Sequence, residues 1–95
     1  MNKNRLQFTA NCEQRRALEG LAYWIADYSY IKERYGYDDP ELEMVHKTIT
    51  QAFDELDKIE VPFWVQNHVI CWAHDWRNTK SQYLSNAMKR YNIIL

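Results

Sequence analysis

Read along the chain, apolar residues recur at helical rather than alternating intervals. From Cys12 to Tyr35 they form two seams, Leu18, Leu21, Ala22 and Ile25 on one, and Leu21, Trp24, Tyr28, Ile31 and Tyr35 on the next. Spacings of three and four residues place each seam on one helix side, and together they predict a face too broad for contact with a single neighbour. Asn11 is an N-cap residue type, and Gln14, three positions on, completes the pattern of a reciprocal capping box. Gly36 suits the positive-φ position that commonly ends a helix. Gly20, inside the helix, costs roughly 1 kcal/mol against alanine, so the expectation is a close helix–helix contact there.

The second helix has the clearest start. Asp39 caps, Pro40 brings its fixed φ to the first turn, and Glu41 meets the positive end of the helix dipole. Leu42, Val45, Ile49, Ala52, Leu56 and Ile59 then follow a bundle-type seam, with Met44 and Phe53 broadening it, so the predicted helix runs from Pro40 to Ile59. A third helix opens at Pro62, with Val65, Val69, Trp72 and Trp76 on one face and Trp64, His68 and Cys71 beside it. The polar run Arg77-Asn78-Thr79 either breaks this helix or continues it, before Tyr83, Leu84, Ala87, Met88 and Tyr91 resume the period. The apolar tail Asn92–Leu95 should pack back on the domain or bind something, and residues 1–10 should be partly frayed, with Leu6 and Phe8 able to dock. The expectation is one domain over residues 1–95, all-α, a small three- or four-helix bundle.

Composition narrows the class. Of the 95 residues 46% are hydrophobic and 15% aromatic, and the formal net charge is only −1, which excludes a disordered chain. With two Gly and two Pro, the chain lacks the punctuation of a many-stranded β fold. There is no apolar run of the ~18–20 residues that a membrane span requires, and no apolar segment of a secretory leader follows Met1–Arg5. Cys12 and Cys71 are too few for a disulfide framework, which leads to the expectation of two free thiols and a cytoplasmic location. Charge is segregated. Residues 38–60 hold eight acidic side chains against two lysines, while Arg77, Lys80, Lys89 and Arg90 face only Asp75 in residues 61–95. Such a division either stabilises neighbouring helices or steers a charged partner.

Candidate chemistry is sparse. His68, Cys71, His74 and Asp75 have metal-ligating side chains, but His74 lies about 240° round a helix from His68, so the set does not converge on one ion. A cysteine in mid-helix lacks the backbone donors of an oxyanion hole, and no phosphate-binding loop, dinucleotide fingerprint or zinc-protease motif occurs. The sequence thus points to a non-enzyme with no cofactor. Residues 79–91 mix amides, hydroxyls and bases around an apolar spine, and over those 13 positions they resemble the recognition helix of winged helix-turn-helix proteins. On that alternative Lys80, Ser81, Gln82, Lys89 and Arg90 would contact nucleic acid, but the acidic second helix would repel a phosphate backbone.

The aromatic excess, four Trp and seven Tyr, points elsewhere. Tyr23, Asp27, Tyr30, Arg34 and Tyr37 run along the first helix and its end, off the apolar seams, and Tyr and Arg are enriched at interface hot spots. These five are the predicted partner-binding residues, and the predicted partner is another protein or a second copy of the chain. The expected role is that of an accessory, adaptor or inhibitor, of the small aromatic-rich kind frequent in phages and mobile elements. The non-converging His/Cys set yields one prediction. The purified protein should carry no stoichiometric zinc by elemental analysis, and about one zinc per chain, lost on Cys71→Ser, would overturn it.

Overall fold

In the computed structural model, which describes residues 6–81 and 84–95 and the side chains within them other than those of 79–81, five α-helices pack together with one short strand pair. Helices α1 (Cys12–Tyr35) and α2 (Pro40–Lys58) form a long hairpin, and α3 (Phe63–Ala73), α4 (Trp76–Ser81) and α5 (Leu84–Met88) pack against it. Strands β1 (Phe8–Thr9) and β2 (Ile93–Ile94) pair in parallel, Phe8 opposite Ile93. The molecule is elongated, 49 × 28 × 21 Å.

The termini of α1 and α2 follow from their capping residues. The Asn11 side chain accepts from the Gln14 N–H at 2.8 Å and the Gln14 side chain from the Asn11 N–H at 3.0 Å, the predicted capping box. Gln14 Nε2 also donates to the Ile59 carbonyl at 3.0 Å, which ties the start of α1 to the end of α2. Gly36 takes φ 86°, a region other residues rarely enter, and its N–H closes on Lys32. Asp39 caps α2 through the Glu41 N–H at 2.9 Å. α2 ends one residue before the predicted Ile59, because Glu60 turns left-handed (φ 62°) and the Val61 N–H reaches back to the Leu56 carbonyl.

The core lies where α1, the C-terminal half of α2, α3 and α5 meet. Leu18, Leu21, Leu56, Val65, Val69, Met88 and Ile93 are fully buried there. Truncating one such leucine to alanine removes about 2–5 kcal/mol. Gln66 is the one polar side chain buried at its edge among the described residues of α3, and its amide donates to Asp57 at 3.1 Å and to the Val61 carbonyl at 2.9 Å, as a buried polar group must. A smaller second core, Ile31, Leu42 and Val45 with Trp24, Tyr28 and Ile49 against it, closes the far end of the hairpin. The broad face of α1 is thus shared between two layers.

Three expectations need correction. The break after α3 falls at His74–Asp75, not at residues 77–79. Asp75 accepts from the Arg77 N–H at 3.1 Å and starts a new helix, while Ser29 Oγ donates to the His74 carbonyl at 2.6 Å. Trp76 therefore belongs to α4 and leaves the face of Val65 and Val69. Met44 does not broaden the seam of α2, since it is 70% exposed. As expected, Phe8 docks on the core and the apolar tail packs back by pairing with it, whereas Leu6 stays exposed; residues 1–5 lie outside the described residues. Gly20 does not mark a close contact, since a Cβ built there meets no heavy atom within 4 Å. It follows that Gly20→Ala should stabilise the chain by about 1 kcal/mol, roughly 4–8 °C in Tm. A lower Tm in calorimetry would contradict the open space seen there.

Candidate protein-binding interface

α1 lies between α2 on one side and α3 with α4 on the other, which leaves a single stripe of its surface uncovered. The 4-3-4 spacing of Tyr23, Asp27, Tyr30 and Arg34 puts them on that stripe, and Tyr37 follows just beyond the helix end. Tyr23 is 62% and Tyr37 75% exposed, Arg34 is exposed, and Asp27 and Tyr30 are half-buried. Tyr23 meets Trp24 edge-on at 5.1 Å, and Lys32 lies 5.6 Å from the centre of the Tyr37 ring, within cation–π range.

Tyr30 has a second duty that periodicity could not reveal. Its ring packs edge-on to Trp76 of α4 at 5.0 Å, and Arg34 sits 5.6 Å over its other side. One turn along, the Glu33 carboxylate accepts from Trp76 Nε1 at 2.6 Å and from Arg77 at 2.7 Å, one oxygen to each. Arg77 in turn stacks on Trp76 at 4.6 Å. The group Tyr30–Trp76–Arg77–Glu33 fastens α4 to α1 and forms one wall of the stripe. The signal that could have shown it was Asp75, an N-cap residue grouped by sequence with the metal-ligating side chains.

The stripe also extends further than the predicted five residues. The same alternation continues backward to Gly20 and Arg16, so 16-20-23-27-30-34 is one unbroken 4-3-4-3-4 seam. Beside its first half, between α1 and α2, runs an open groove of about 910 Å³, with Ala17, Gly20 and Ala52 among its small lining residues and Arg16, Trp24 and Glu55 among its larger ones. At the hairpin's turn, Tyr35 and Tyr37 are exposed near the N-terminal turn that carries Met44.

The other candidates disperse. His68 stacks on Tyr91 at 3.9 Å and meets Trp64 edge-on at 6.3 Å, so rings hold it in place. Cys12 and Cys71 are exposed single thiols, and among the described residues no three His, Cys, Asp or Glu side chains could hold a metal ion. The 79–91 stretch is not one helix: Lys89 and Arg90 are exposed on a 3₁₀ turn, Lys89–Tyr91, after the five-residue α5. Gln82 and the side chains of Lys80 and Ser81 lie outside the described residues. No helix is long and apolar enough to cross a membrane among the described residues. No protein-family model matches the chain, and no curated protein or solved structure matches it either.

The hydrogen bond from Trp76, followed by that from Arg77, holds the Glu33 carboxyl below the ordinary glutamate range, and Glu33 raises Arg77 in return. A lowered folded-state value means the interaction stabilises the fold above the ordinary glutamate midpoint and fades as pH falls through the folded one. An NMR titration should place Glu33 below the ordinary glutamate range in the native chain and return it upward in Trp76→Phe. An unmoved midpoint in that variant would refute the assignment of cause.

Proposed function

We propose that this chain is a non-catalytic helical interaction module, an accessory, adaptor or inhibitor that binds another protein through the uncovered stripe of α1. The observation that carries this reading is Tyr23, more than half exposed on the face of α1 that neither helix layer covers, with Tyr37 exposed just beyond the helix end. An exposed tyrosine ring brings ~150–250 Å² of amphipathic area with only two side-chain torsions to order, the economy on which hot spots rest. Arg34 adds a charged group already held over the Tyr30 ring, so little of it is left to immobilise on binding. Nothing on the stripe pairs a nucleophile with a base, which is why the reading is one of binding and not of turnover.

The half-buried Tyr30 is a poor probe, since its loss would loosen α4 as well. Tyr23→Ala with Tyr37→Ala is cleaner, because both rings are exposed. The double variant should keep its Tm within ~2 °C while losing tenfold or more in affinity for its protein partner, measured by calorimetric titration. Retained affinity would remove α1's stripe as the interface.

A further inference from the structure

We infer that the N-terminal half of the α1 stripe is built to receive α1 of a second copy, antiparallel, about a two-fold axis between Gly20 and Tyr23. The inference rests on the reading of the stripe as an interface and names its occupant.

Arg16 and Asp27 are eleven residues apart, three helix turns, so they stack along one line of α1 about 16 Å from each other. That distance is too long for a pair within the chain, and neither residue has an ion-pair partner among the described residues. A two-fold axis midway between them brings Arg16 of each copy opposite Asp27 of the other, which makes two ion pairs from one self-complementary surface. The opposite, parallel arrangement would set like beside like. The same axis lies midway between Gly20 and Tyr23, so each exposed tyrosine ring faces the glycine of the second copy. Gly20 has no heavy atom within 4 Å of where its Cβ would be, a hole that its own chain does not fill and that an opposing side chain can. This accounts for a residue that weakens its own helix without serving any contact inside the molecule. One turn further out, Glu13 comes beside Tyr30 and Arg34 of the second copy, again opposite in charge to the arginine. The unbroken 4-3-4-3-4 seam is the spacing by which two helices keep facing each other at a shallow crossing angle.

A single helix pair lies at the small end of specific interfaces, so the dimer should dissociate in the micromolar range. Sedimentation equilibrium of the full chain from ~1 to ~500 µM should show a reversible monomer–dimer equilibrium, weaker at high salt. Arg16→Asp alone and Asp27→Arg alone should each weaken it about tenfold or more, and the two combined should restore most of the loss, which a merely structural role would not do. Gly20→Lys should leave a monomer that melts no lower than the native chain. A monomer at every concentration overturns the inference, and so does a dimer indifferent to Gly20→Lys and to the single charge changes. A monomeric chain that still loses its protein partner on Tyr23→Ala and Tyr37→Ala would sink the two-fold pairing and leave the interaction reading intact, whereas insensitivity in both assays would sink the two together.

Discussion

The packing of α1 on two sides at once is the constraint from which the other features follow. A helix of 24 residues supplies one face to α2 and another to α3 and α4, and its buried side chains wrap round most of its circumference. Two layers on one spine enclose the residues between them, Leu18, Leu21, Ala22, Ile25, Ala26 and Ser29, all of them buried. They also decide what is left over. The uncovered stripe is narrow because both flanks are occupied, and of its residues Tyr30 is the one that also packs against the core. Arg16, Gly20, Tyr23, Asp27 and Arg34 are therefore free to carry a different requirement, and their mixed chemistry is what a surface selected for recognition would hold.

Much of this was legible in the sequence, for identifiable reasons. Helix existence came from periodicity, and helix starts came from residues whose side chains close open backbone donors, Asn11 with Gln14 and Asp39 with Pro40. The all-α class and the broad face of α1 followed from the same signals. What remained hidden depends on contacts distant in sequence. Trp76 reads as the next residue on the face of Val65, Val69 and Trp72 until Asp75 is seen to cap a new helix, and nothing local says that Tyr30, 46 positions earlier, will meet it. Gly20 was misread because a helical glycine has two explanations, a neighbour pressed close or no neighbour at all, which one-dimensional spacing does not separate.

The candidate site divides in the same way. Tyr23, Asp27, Tyr30 and Arg34 share a face of α1, since a helical wheel needs only numbering, while Tyr37 lies beyond the helix end. Their environments differ in ways the wheel does not contain. Tyr23 stands in solvent, Tyr30 is wedged between Trp76 and Arg34, and Tyr37 lies beyond the helix under Lys32. The Glu33 carboxylate, which sequence passed over, is the hinge pin of the arrangement, because each of its two oxygens accepts from a different residue of α4.

The parallel pair of β1 and β2 sets an order of assembly. Its hydrogen bonds, among them Phe8 N–H to the Asn92 carbonyl and Ala10 N–H to that of Ile94, close a loop that contains every helix of the fold. Such a closure gains nothing until the intervening chain is already compact, so the α1–α2 hairpin, built from local contacts, forms first and the clasp forms last. Ile93, wholly buried, is held in the main core by that clasp, so pulling the two chain ends apart would open the core itself.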